Sequence, residues 1–136
     1  MVLPLDLALL ISTIGRLREG LARCRCEPAD DQLRDGLIHR FGSSYELCHR
    51  ILRRFIRQGV ASPDEVDRMP FQDLIRTANQ QGLLLGDWTA WHRYRDSRAR
   101  SSHAFRASIA KEVADSIPAF LAKSEHLTDE LRRRLV

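Results

Sequence analysis

Several things are scarce in this chain of 136 residues. No apolar run approaches the roughly 20 residues that a membrane-spanning helix needs, so a bilayer protein is not expected. The opening Met1-Val2-Leu3-Pro4-Leu5-Asp6 has no basic leader before an apolar stretch, so a signal peptide is not expected either. There are only 3 cysteines, an odd number. Cys24 and Cys26 have no second pair and no nearby histidine to complete a zinc site, and a reduced, cytoplasmic protein with incidental thiols is the simpler reading. His39, His49, His92 and His126 have no metal-like spacing, so no metal and no cofactor is expected. No stretch alternates polar and apolar residues as a strand would, and there is no glycine-rich phosphate loop and no repeat. Lysine is also rare: of 22 basic residues only Lys111 and Lys123 are lysine. Arginine grips phosphate bidentately and stacks on bases as lysine does not, though a genomic preference for arginine codons produces the same bias.

What remains reads as helices. Hydrophobic residues are 43% and charged residues 29% of the chain, with a net charge of +4, an ordinary balance for one globular domain. Leu7, Leu10, Ile11, Ile14, Leu17 and Leu21 keep helical spacing and predict a helix over about 5–24. Leu33, Leu37, Ile38, Phe41, Tyr45, Cys48 and Leu52 continue the period in a long second helix stopped by Gly59. Ser62-Pro63-Asp64-Glu65 has the pattern of a helix start, with Ser62 as cap and Glu65 closing a capping box. That helix is short, because Pro70 restarts the chain. A further short helix carries Phe71, Leu74, Ile75 and Ala78 and ends at Gly82. Asp87 can cap the next, which carries Trp88, Trp91, Tyr94 or Arg95, and Arg98. Ile109, Val113, Ile117, Phe120 and Leu121 mark the last helix, which Pro118 should bend or deprive of a hydrogen bond. Arg132-Arg133-Arg134 reads as a solvated end. The expected architecture is all-α, an antiparallel bundle of four to five helices forming a single domain over 1–136, with its core at about 5–126.

Residues 98 to 105, Arg98-Ala99-Arg100-Ser101-Ser102-His103-Ala104-Phe105, carry the chemistry. Between 91 and 106 stand Arg93, Arg95, Arg98, Arg100 and Arg106 against one acid, Asp96. A permanently charged arginine and a histidine able to titrate near neutrality suit phosphate binding and proton transfer at a phosphodiester. Five positions on one helix put two side chains about 140° apart, too far round to meet. Ser101 and Ser102 favour turns, so the helix is expected to end near Ser101 and let His103 swing toward Arg98 or face a second subunit. The alternative is a surface arginine and a capping or half-buried histidine. Arg50, Arg53, Arg54 and Arg57 form a second basic stripe, either a solvated face or the wall of a nucleic-acid groove. Trp88 and Trp91 suit core or interface packing better than base stacking.

Arg-x-x-x-x-His after a tryptophan-bearing helix resembles the HEPN superfamily. Arg40-Phe41-Gly42-Ser43-Ser44-Tyr45-Glu46-Leu47 resembles its R-F-E-x-x-Y-E-L segment, Gly59 with Ser62-Pro63 its glycine-to-Ser-Pro link, and Gly82-Leu83-Leu84 with Trp88 its G-L-I and W. The subgroup most similar is that of nucleotidyltransferase substrate-binding proteins, over about residues 7–125. The resemblance implies a homodimeric bundle with Arg98 and His103 facing a shared cleft. It implies a partner, a minimal nucleotidyltransferase, in a toxin–antitoxin type of pair, and an RNA or nucleotide ligand. It further implies metal-independent RNA cleavage with Arg98 and His103 as catalytic residues, or a non-catalytic subunit that binds nucleotide or acts as a scaffold for the partner. Phosphate contacts are expected from Arg95, Arg100, Ser102, Arg53 and Arg57. Two positions depart from the family: Ala99 stands where a polar residue usually follows the motif arginine, and Phe105 where a tyrosine can receive AMP. Another hydroxyl, such as that of Tyr94, is then needed if AMP is to be added.

Overall fold

The computed structural model describes residues 3–86 and 88–135, the side chains of residues 3–6 excepted. Among the described residues there are six α-helices, one 3₁₀ turn and no strand. The long elements are α1 (Leu3–Cys26), α2 (Asp31–Gln58), α5 (Trp88–Arg100) and α6 (Ala107–Leu135). The short α3 (Pro63–Asp67) and α4 (Phe71–Gln80) pack beside α2 in the connection between α2 and α5. The all-α bundle expected from the sequence is the fold observed. α1 and α2 lie against each other across the four-residue connection 27–30, and α6 packs on α1, α2 and α5.

Local chemistry sets the helix ends. Asp30 caps α2, its Oδ1 accepting from the Leu33 amide at 3.1 Å. Gly59 closes α2 in an ordinary conformation with φ −92°, so the position does not use glycine's left-handed freedom. Gly82 does: at φ +74° it follows α4, with Leu83 N donating to the Ala78 carbonyl at 3.0 Å and Gly82 N to Asn79 at 3.0 Å. That double bond pattern is the Schellman stop. Ser62 precedes α3 in extended conformation, yet its side chain makes no capping bond, and Glu65 returns to it only through the backbone. The expected capping box is therefore not formed; with Pro63 at the first position there is one fewer amide to satisfy. The proposed Asp87 cap lies outside the described residues.

α6 runs unbroken through Pro118 for 29 residues. The proline ring removes the amide that would pair with the Ala114 carbonyl, but Pro118 is exposed, so that carbonyl is not deprived of water. The C-terminal arginines are not all solvated. Arg134 is partly buried, donating to the Gln81 carbonyl at 2.5 Å and to Glu130 at 3.0 Å. Bonds from Arg133 and Arg134 hold the Glu130 carboxyl well below the usual range, at about 2.

Phe120 is the centre of the core and is fully buried. Phe41 meets it edge-on at 5.1 Å between ring centres, and Tyr94 at 5.4 Å. Trp91 is 2% exposed and joins the same cluster at 6.1 Å. Edge-to-face contacts of this kind add about 0.5–1.5 kcal/mol each beyond the area they bury. The node locks α2, α5 and α6 together, and so fixes the height at which Arg98 on α5 crosses Gly42 on α2.

Candidate phosphate-binding cleft

α5 ends at Arg100, and Ser101–His103 form a 3₁₀ turn before α6. The serines make this break. Ser101 Oγ donates to the Arg98 carbonyl at 2.6 Å, and Ser102 Oγ donates to the Ala99 carbonyl at 3.2 Å. These hydroxyls satisfy carbonyls that lose their helical partners at a C-terminus. Arg100 forms an ion pair with Glu112 on α6 and so ties the two sides of the break together.

Arg98 leans from α5 across α2. Its side chain passes over Gly42, where a Cβ would stand 3.3 Å from Nε and 3.4 Å from Cδ. Its Nη1 donates to Ser101 Oγ at 3.2 Å. Its Nε lies 3.1 Å from Glu46 Oε1, close enough for an ion pair. The N–H does not point at that oxygen, and Nε is buried without a hydrogen bond. The guanidinium is thus held on one edge and unsatisfied on another.

An open cleft of about 640 Å³ lies along this crossing, walled by α2 through Asp35, His39, Gly42 and Glu46, and by Arg98, Ser101, Ser102 and Phe105. Arg98 and Ser102 both line the cleft. His103 does not line it within one chain. The His103 ring is exposed on the rim, edge-on to Phe105 at 6.3 Å, and among the described residues nothing hydrogen-bonds it. Phe105 is 79% exposed, with the Arg106 guanidinium 5.8 Å over its ring.

Arg95 lines a second hollow with Arg98 and Ser102, on the side of His49. The other expected phosphate contacts lie elsewhere. Arg100 is occupied by Glu112. Arg53 donates to the carbonyls of Val66 at 2.5 Å and Met69 at 3.2 Å, holding the end of α3 to α2. Arg57 holds both oxygens of Asp67 at 3.0 and 3.2 Å. The basic stripe on α2 therefore fastens α3 at these two positions; neither Arg53 nor Arg57 lines the cleft, though Arg53 Nη2 stands 3.4 Å from His49 Nε2. Tyr94 is 3% exposed and Tyr45 4%, so both rings are packed in the core.

Of the α2 wall, the Arg40–Leu47 segment noted in the sequence includes Gly42 and Glu46 but not Asp35 or His39. Asp35, His39, Gly42, Glu46 and His49 repeat at three or four residues, a polar stripe opposite the buried Leu37, Phe41 and Cys48. That stripe was the available signal. His49 is held below the usual histidine range by burial, then by Arg53, while Glu46 opposes the shift. Burial pushes the Cys48 thiol up to about 12 and leaves it inert packing. Among the described residues no three His, Cys, Asp or Glu side chains gather as a metal site would require.

A helical bundle broken between an arginine and a histidine at this spacing defines a protein of the HEPN class. The chain belongs to the family described as nucleotidyltransferase substrate binding protein like, whose model matches residues 5–133. It is 35% identical over 104 residues to a protein of Haemophilus influenzae named "Probable ribonuclease HepT", covering 76% of this chain and 70% of that one. It is also similar to a solved Haemophilus influenzae structure described as the fold of a substrate-binding domain of a nucleotidyltransferase. The TM-score is 0.87 and the identity 28%, over 93% of this chain and 98% of that one.

Proposed function

We propose that the cleft binds a phosphodiester of single-stranded RNA and that two copies of the chain cut it without a metal. The observation that carries this reading is the Arg98 guanidinium, laid across Gly42 into an open cleft with Nε unsatisfied. A phosphate oxygen there takes a charge-assisted hydrogen bond that Glu46 does not. Arg98 then stabilises charge building on the phosphoryl oxygens. His103 moves the proton, from the ribose 2′-hydroxyl or onto the leaving oxygen. Attack by the 2′-hydroxyl breaks the bond from phosphorus to the 5′-oxygen and leaves a cyclic phosphate, so DNA is not a substrate. Because His103 and Phe105 stand exposed on the rim, a homodimer is what brings His103 of one copy toward the cleft of the other. The family supports a nucleotidyltransferase as partner, and the relative named as a ribonuclease supports the cutting of RNA; on this reading the setting is cytoplasmic and the pair is of the toxin–antitoxin type.

The test is cleavage of a labelled single-stranded RNA in EDTA by the wild type, Arg98→Ala and His103→Ala. The reading expects a cyclic-phosphate product from the wild type and loss of cleavage in both variants. No cleavage by the wild type, or cleavage unchanged in the variants, overturns it.

A second reading is that the subunit binds nucleotide or RNA for the partner without cutting. It is favoured by Ala99, which supplies no polar group beside Arg98, and by His103 lying outside the cleft walls of one chain. On that reading, omitting the subunit abolishes nucleotide transfer by the partner while His103→Ala leaves transfer intact.

A further inference from the structure

Beyond Arg98 from the cleft lies a second hollow of about 440 Å³, walled by Tyr45, Glu46, His49, Arg95, Arg98 and Ser102. Arg95 precedes Arg98 by one helical turn, so the two side chains leave the helix about 5–6 Å apart. The adjacent acid, Asp96, faces His92 at 3.5 Å rather than Arg95. The Arg95 guanidinium rests 5.1 Å over the Phe71 ring, which holds the charge in place without cancelling it.

The Tyr45 hydroxyl points to a ligand. The residue is 4% exposed, and its oxygen has no hydrogen-bond partner. Arg98 Nε is in the same state. Buried polar atoms are rarely left unpaired, because each has given up water for nothing. Glu46 and Arg98 line both hollows, so parting them opens one into the other. A strand phosphate in the cleft that displaces the Glu46 carboxylate gives Arg98 Nε its partner, and a second phosphate in the hollow reaches the Tyr45 hydroxyl.

We infer that this hollow is a second phosphate subsite, in which Arg95 and Tyr45 grip the phosphate next along the strand from the one that Arg98 Nε holds in the cleft. The inference rests on the reading that the cleft binds RNA. The ligand chemistry is a ribonucleotide phosphate, supplied by a strand or by a free mononucleotide.

Both sources are tested by titrating the full-length protein with a 2′-O-methyl single-stranded hexanucleotide, which cannot be cut, and with a mononucleotide monophosphate. Tyr45→Phe and Arg95→Gln are each expected to weaken hexanucleotide binding about tenfold, the loss of one strong hydrogen bond or charge contact. Tyr45→Phe removes only an unpartnered hydroxyl, so its melting temperature is expected to equal or exceed the wild type's, which separates lost binding from lost folding. Loss confined to the mononucleotide assigns the hollow to free nucleotides and overturns the strand assignment. Hexanucleotide binding unchanged in both variants, but weakened by Arg98→Gln, overturns the subsite and leaves the cleft standing. Binding unchanged by Arg98→Gln overturns the cleft reading itself.

Discussion

Arg98 rests on the bare backbone of Gly42, with Nε 3.3 Å from where a Cβ would be. A methyl group there presses on a long side chain, which yields, rather than on backbone. Gly42→Ala is expected to stabilise the helix by up to about 1 kcal/mol, since glycine is a poor helix former. The same change shifts Arg98 and weakens RNA binding. Thermal melting and a binding titration on one variant check both signs, and parallel changes in the two would refute the contact's role.

Arg53 is expected to matter for stability and not for binding. Its bonds to the Val66 and Met69 carbonyls hold the end of α3. Arg53→Met is expected to cost about 1 kcal/mol by removing a donor from two part-buried carbonyls, of which that of Val66 keeps the Met69 amide. Arg57→Ala breaks a half-exposed pair and is expected to cost under about 1 kcal/mol. Denaturant melts give both values, and RNA affinity at fixed salt should match the wild type in each.

His49 gives a pH dependence. Burial and the neighbouring Arg53 and Arg95 lower its folded-state pKa, against Glu46 on the same helix, while Tyr45 and Phe71 pack on its ring. The unfolded chain therefore binds a proton more readily than the folded one, and stability rises with pH across the gap. The contribution is present above about pH 6.5, the ordinary value for histidine, and fades as pH falls toward the lowered one. His49→Gln should flatten this part of a stability–pH curve; an unchanged slope would contradict the assignment.

Both tyrosines are buried, and Phe105 occupies the exposed place. Incubation with the partner nucleotidyltransferase and ATP is expected to leave tyrosine unmodified, and Phe105→Tyr to create an acceptor. Peptide mass spectrometry of the two proteins reads the result directly; AMP on Tyr45 or Tyr94 would contradict this expectation.

The helices were legible because their apolar spacing is long and regular, and the break at Ser101 because two adjacent serines compete for helix carbonyls. What the sequence concealed were pairings across elements. Nothing local announces that Gly42 lies under Arg98, since the contact depends on how α2 and α5 cross around Phe120. The arginine stripe on α2 looked unpaired because the partners of Arg53 are backbone carbonyls of Val66 and Met69, which carry no charge to read. Arg134 likewise looked solvated because its acceptor, the Gln81 carbonyl, is 53 positions away. The polar stripe from Asp35 to His49 was visible but held one glycine, and a missing side chain is easily passed over as a site.

The central claim is that Arg98 holds an RNA phosphate. Its most direct measurement is the affinity of an uncleavable single-stranded RNA for the wild type and Arg98→Gln over a range of salt. The account predicts a linear fall of log affinity with log salt for the wild type, weaker binding by the variant, and a slope shallower by about 1. Superimposable salt dependences for the two proteins would contradict it.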